Sequence, residues 1–213
     1  MAIQQPAARR NRFDLFGFEV FRGLLARSSP RVFADVEEAF GAEWGHHGSA
    51  ERKAVPDFLE RSPALTAAAA EAGLTEIASE LLDQEAFFLY GDASEYRGDT
   101  YWHVDTRAAE ARLVKFVFYD SPLDGTCGAL RVLPGSHRAP GTRDAEPMDA
   151  RDVPGHVLGV APGDVIAFDP RIRHAALGGR VRRQVAVAYA ARPENPVAQQ
   201  ELVNLVLANR TVV

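Results

Sequence analysis

The run Thr100-Tyr101-Trp102-His103-Val104-Asp105 sets an imidazole and a carboxylate two positions apart in an aromatic, β-branched stretch. Side chains alternate faces along a strand, so His103 and Asp105 point the same way with their backbones roughly 6.6 Å apart. Both are metal-ligand types, and together they could converge on one ion. A catalytic metal centre needs a third protein ligand from elsewhere in the chain. His137 follows the turn Pro134-Gly135-Ser136 and His156 opens a strand just after Pro154, so both read as turn or surface histidines. Trp44, His46 and His47 fall in a Gly-flanked turn between helices, and nothing acidic is spaced to pair with the two histidines. His174 is different. It follows Phe168-Asp169-Pro170-Arg171-Ile172-Arg173, a strand end and turn able to swing a side chain back across a barrel mouth. Two imidazoles and one carboxylate on one face of a metal leave coordination positions open, the arrangement diagnostic of non-haem Fe(II) oxygenases. A structural zinc site would want four protein ligands, usually including Cys, and none are spaced for it.

Such a site needs elements that carry these residues to one mouth. From about residue 13 to 82 apolar residues recur at helical spacing: Phe18, Phe21 and Leu25; Val32, Phe33, Val36 and Phe40; Leu65; Ile77, Leu81 and Leu82. This predicts a helical N-terminal third, with Met1 to Arg12 a frayed terminus. Ser29-Pro30 and Thr75 suit helix starts, and Gly41 and Gly73 suit helix ends. After Asp83 come short aromatic and β-branched runs separated by Gly, Pro and Asp, the signature of an antiparallel sandwich or barrel. The expected strands are Ala86 to Tyr90, Tyr101 to Asp105, Leu113 to Tyr119, Ala129 to Leu133, His156 to Val160, Val165 to Phe168, His174 to Leu177 and Val181 to Ala191. That number matches a cupin-type jelly roll. Pro134-Gly135-Ser136 and Pro162-Gly163-Asp164 read as tight turns, Arg138 to Pro154 as a long loop, and Asn195 to Asn209 as an outer helix.

The 213 residues suit a single domain: a helical part over about 13–82, a jelly-roll core over about 83–192 and a C-terminal helix over about 195–209. The single Cys127 cannot form an internal disulfide and no cationic apolar segment opens the chain, which points to a cytoplasmic setting. A net charge of −5 with no basic stripe argues against a nucleic-acid partner, and no apolar run is long enough to cross a bilayer.

Four stretches in order carry a resemblance: Gly98 to Asp105, Lys115 to Pro122, Gly128 to His137, and Gly163-Asp164 through Phe168-Asp169-Pro170 to His174 and Arg182-Arg183. Over about 83–192 the chain resembles the phytanoyl-CoA dioxygenase family of Fe(II)/2-oxoglutarate-dependent oxygenases. The resemblance implies a double-stranded β-helix in which His103, Asp105 and His174 bind iron and 2-oxoglutarate chelates two further positions. It also implies an arginine after the distal histidine to hold the cosubstrate's far carboxylate, a task suited to a permanently charged, bidentate guanidinium. Arg180, Arg182 and Arg183 are the candidates. We choose Arg182: alternation sets it with Gln184, Ala186 and Ala188 on one face, where small residues leave the cosubstrate room, opposite Arg183, Val185, Val187 and Tyr189. The spacing from His174 (182 − 174 = 8) is short for the family, and Gln184 stands where relatives often have Ser.

Lys115, in the apolar strand Leu113 to Tyr119, is a second candidate for the cosubstrate, set against a sheet-edge lysine pointing to water. Tyr90, Trp102 and Phe116 read as core, Arg131 and Arg171 as surface charges, and Asp169 as a turn former able to anchor a ligand histidine. The implied activity is oxidation of a small organic molecule with O2, hydroxylation first and desaturation or cyclisation as further outcomes, coupled to decarboxylation of 2-oxoglutarate to succinate. Retention of Asp105 speaks against halogenation, since related halogenases replace that carboxylate with a small residue. The alternatives are a non-catalytic cupin-like metal- or ligand-binding protein and a cupin isomerase or hydrolase using another metal.

Overall fold

The computed structural model describes residues 6–41, 52–139, 153, 155–178 and 181–210. Trp44, His46, His47, Arg180 and most of the predicted loop 138–154 lie outside the described residues. Among the described residues ten strands form two sheets. The larger has the order β1 (Phe18–Phe21), β8 (Val165–Phe168), β5 (Leu113–Tyr119), β10 (Arg182–Ala191), β3 (Ala86–Tyr96), β2 (Arg52–Pro56). The smaller has the order β4 (Thr100–His103), β9 (His174–Ala176), β6 (Leu130–Val132), β7 (His156–Leu158). All pairings are antiparallel. Eight of these strands fall on the eight predicted runs, with ends shifted by a few residues; β3 runs six residues further than expected, to Tyr96 (96 − 90 = 6).

The N-terminal third departs from the prediction. Helices α2 (Ser29–Gly41), α3 (Phe58–Arg61), α4 (Pro63–Glu71) and α5 (Leu74–Leu82) form, but residues 18–21 and 52–56 are strands that extend the larger sheet at both edges. Phe18 and Phe21, read as helical, lie in β1 and pair with Phe168 and Val165. The expected frayed terminus is also ordered from Pro6: α1 (Pro6–Phe16) is tied down by the pairs Arg9–Glu80 at 3.2 Å, Arg10–Asp83 at 2.5 Å and Arg12–Glu19 at 2.9 Å.

Alternation along β10 sorts two cores. Val185, Val187 and Tyr189 face the helices with Val36, Phe58, Leu65 and Leu81, while Ala186 faces inward with Val117, Leu130, Ile166 and Phe168 between the sheets. Helix α6 (Pro196–Arg210) closes the described chain and packs Leu202 on Ala108, Ala111, Leu113 and Ala190. Its Glu201 accepts the backbone N–H groups of Ala109 (2.9 Å), Glu110 (3.0 Å) and Ala111 (2.8 Å), fixing the loop that leads into β5. Among the described residues no helix is long and apolar enough to cross a membrane.

Candidate metal centre

β4 and β9 are neighbours, and their register sets His103 directly opposite His174, with ring centroids 4.2 Å apart. The chain leaves β4 after His103, and Asp105 is held where it is by its N–H, which donates to the carbonyl of Pro170 at 2.9 Å in the turn before β9. One ligand-type atom from each of His103, Asp105 and His174 therefore lies within 4.8 Å of the others. Asp105 Oδ1 is 3.7 Å from His103 Nε2 and 3.5 Å from His174 Nε2.

The donor set fits a metal ion. His103 Nδ1 lies 2.7 Å from the carbonyl of Tyr101 and His174 Nδ1 lies 3.0 Å from that of Ile172. A carbonyl can only accept, so each Nδ1 carries the hydrogen and each Nε2 keeps a lone pair facing the cluster. Desolvation and the adjacent His174 imidazole push His103 down to about 4, although 46 % of its side chain reaches solvent, so the ring is neutral as a ligand must be. Burial opposes the charge on Asp105, but Lys115 and the imidazoles more than offset it, and the carboxyl is held well below its usual range. Asp169 does not anchor a ligand histidine: both its oxygens take the Arg171 guanidinium, at 2.9 and 2.6 Å, and the backbone of Ile172 anchors His174 instead.

A cavity of about 370 Å³ opens beside the cluster, lined by Val117, Tyr119, Leu130, Phe168 and Ala176 as well as by Arg182 and Gln184. Arg182 points inward as alternation predicts; Arg183 points away and pairs with Glu95 at 3.1 Å. The Arg182 side chain is buried, donates to the carbonyl of Gly98 at 2.7 Å and lies over the Tyr96 ring at 5.2 Å. Among the described residues no carboxylate pairs with it. Asp99 acts on it only through space, and an anion placed against it in the cavity would offset the cost of burying the guanidinium. Lys115 also faces the cavity, and the reading of a lysine pointing to water is corrected: β5 lies inside the sheet, between β8 and β10, and the Lys115 ammonium sits 2.9 Å from Asp105 Oδ2.

Three further lining residues were missed by sequence reasoning: Arg52 of β2, Tyr96 of β3 and Asn209 of α6. Tyr96 was within reach, because Tyr90, Asp92, Ser94 and Tyr96 continue the alternation of β3. Arg52 and Asn209 carried no such signal. Tyr90, read as core, is both buried and part of the wall, whereas Trp102 and Phe116 are core. His137 is in a turn as expected but is buried, with Nε2 donating to the carbonyl of Asp14 at 3.1 Å. Arg131 and Arg171 are not free surface charges: Arg131 donates to the carbonyl of Gly125, and Arg171 holds Asp169.

The family model for phytanoyl-CoA dioxygenase matches residues 18–183, most of the chain. The chain belongs to the phytanoyl-CoA dioxygenase family. With that family it is a 2-oxoglutarate-dependent dioxygenase, working with iron and 2-oxoglutarate. No curated protein matches the sequence. Among solved structures, AviO1 from Streptomyces viridochromogenes Tue57 superposes with a TM-score of 0.72 at 23% identity, over 92% of this chain and 99% of its own. The epimerase SnoN from nogalamycin biosynthesis, solved with Fe3+, alpha ketoglutarate and nogalamycin RO, gives 0.72 at 18% identity over 88% and 85%. EvdO2 from Micromonospora carbonacea var. aurantiaca, complexed with 2-oxoglutarate, gives 0.67 at 21% over 92% and 96%. At these identities the likeness concerns the fold.

Proposed function

We propose that the enzyme hydroxylates a small polar organic molecule, with His103, Asp105 and His174 as the iron ligands and Arg182 as the anchor of 2-oxoglutarate. The observation that carries this is the convergence of His103, Asp105 and His174 within 4.8 Å, with both histidines presenting Nε2 to the cluster. Three protein ligands on one face leave positions for a chelating cosubstrate and for dioxygen. The solved relatives SnoN and EvdO2, which hold alpha ketoglutarate or 2-oxoglutarate in the same fold, support the reading.

Iron with 2-oxoglutarate supplies the oxidising power, coupling decarboxylation to succinate with oxidation of a substrate C–H bond. The protein's own residues orient the reactants. Arg182, buried in the cavity lining, would hold the far carboxylate of the cosubstrate, where a charge-assisted, bidentate pair is strong. Val117, Leu130, Phe168 and Ala176 give the cavity an apolar lining that would exclude water around a bound cosubstrate. Lys115, the second candidate, lines the same cavity with its ammonium against Asp105. Arg52, Tyr90, Tyr96 and Asn209 offer hydrogen-bonding groups to the substrate, which favours a polar small molecule over an acyl chain.

Anaerobic addition of Fe(II) and then 2-oxoglutarate should give a weak visible charge-transfer band, and a succinate-release screen of polar metabolites with mass spectrometry should show gain of one oxygen. A protein that binds both without the band, or releases succinate with no oxidised product in any substrate's presence, would end the proposal.

A further inference from the structure

The Asp105 carboxylate divides its oxygens between two environments. Oδ1 faces the imidazoles, 3.7 Å from His103 Nε2 and 3.5 Å from His174 Nε2. Oδ2 takes the Lys115 ammonium at 2.9 Å. Lys115 belongs to the inner face of β5, opposite Ala188 on one side and Phe168 on the other, with 13% of its side chain exposed. The ammonium pairs with this carboxylate directly, and Arg52, which lines the same cavity, also acts on it electrostatically.

We infer that Lys115 is a positioning residue which holds Asp105 to one-oxygen ligation and so keeps a coordination place open for the cosubstrate or dioxygen. The inference rests on the reading of His103, Asp105 and His174 as metal ligands. The physical reason starts with freedom. The bond from Asp105 N to Pro170 fixes the backbone of Asp105, but the terminal torsion of an aspartate is broad and nearly two-fold, so the backbone alone does not select an oxygen. Carboxylates bind metals through one oxygen or both. A second oxygen from Asp105 would take one of the positions that a facial set of three ligands leaves open. An ammonium bonded to Oδ2 removes that option, and its compact charge with rotatable donors suits the task. The neighbours of Lys115 on the strand, Val114 and Phe116, are fully buried in the core under the helices, so the parity of β5 commits position 115 to the cavity.

The test uses Co(II), whose visible spectrum reports its coordination, titrated anaerobically into wild type, Lys115→Met and Lys115→Arg before any 2-oxoglutarate is added. The expected result is that Lys115→Met binds Co(II) at least as tightly as wild type but with an altered spectrum. 2-Oxoglutarate should then bind the Co(II)-loaded variant tenfold or more weakly, and Lys115→Arg should recover the wild-type spectrum. Should Lys115→Met fail to fold, judged by far-ultraviolet circular dichroism, Lys115→Gln, too short to reach Oδ2, replaces it with the same expectation. An unchanged Co(II) spectrum and affinity in Lys115→Met would overturn the inference: with weakened 2-oxoglutarate binding, Lys115 touches the cosubstrate directly, and without it Lys115 has no part. Failure of the underlying ligand reading looks different, because His174→Ala would then give the same Co(II) spectrum and affinity as wild type.

Discussion

Arg182 and Arg183 are adjacent in sequence and opposite in consequence. Arg182 lies buried in the cavity lining, while Arg183 holds Glu95 on the other face of the sheet. Replacing Arg182 by Leu should raise the KM for 2-oxoglutarate roughly 10- to 100-fold, as expected for the loss of about 1.5–3 kcal/mol in a hydrogen bond to a charged group. Arg183→Leu should leave that KM within about twofold of wild type. Steady-state succinate release for the two variants decides which arginine serves. Asp105→Ala should abolish succinate release coupled to substrate; full activity in that variant would remove the assignment. The parity of residues 182 to 189 was legible because a strand has period two. The partner of Lys115 was not, since a lysine in an apolar strand announces that it needs an anion without saying which one.

At the scale of elements, the loop from Asp105 to β5 is held by α6. Glu201→Ala removes the acceptor for three consecutive N–H groups, and a loss of about 1–3 kcal/mol in chemical denaturation is expected. Gly163 presents a different constraint. Its φ is +89°, and a Cβ there would sit 2.5 Å from Ala26 Cα, so Gly163→Ala should cost roughly 1–3 kcal/mol or more, read in the same denaturation experiment. Proline, glycine and aspartate at 162–164 revealed that turn in sequence. The edge strands β1 and β2 were less legible. Four or five residues are too few to establish a period, and Phe18, Phe21 and Leu25 mimic one face of a helix. Their pairing with β8 and β3, far along the chain, overrides local preference.

Across the whole molecule, buried charges couple stability to solution conditions. Burial works against ionisation of Asp164, but the N–H of Ala161, the Arg22 guanidinium and the N–H of Gly23 outweigh it, and the carboxyl is held below its ordinary value. A depressed folded-state value gives stability that is present in full above the unfolded value of about 3.9 and lost as pH falls through the lower folded value. The difference in melting temperature between wild type and Asp164→Asn should therefore be largest near neutrality and shrink in acid below about pH 4. Metal and cosubstrate act on the same scale. Saturation at 100 times Kd stabilises a folded protein by about 2.7 kcal/mol, so Co(II) with 2-oxoglutarate should raise the melting temperature and a chelator should reverse the rise.

The residue types and their order along the chain already determined the class of chemistry: an imidazole and a carboxylate two positions apart, with His174 and Arg182 following in the family's order though closer together than usual. The antiparallel β core, its alternation and its turns were likewise local properties that short-range sterics and hydrophobic periodicity encode. Only the tertiary structure decided that His103 and His174 are cross-strand neighbours, that Arg52 and Asn209 reach the same cavity, and that Lys115 rests on Asp105. Those facts depend on strand register and on contacts between segments separated by tens of residues, and no local pattern records which distant partner a strand edge or a buried charge will meet.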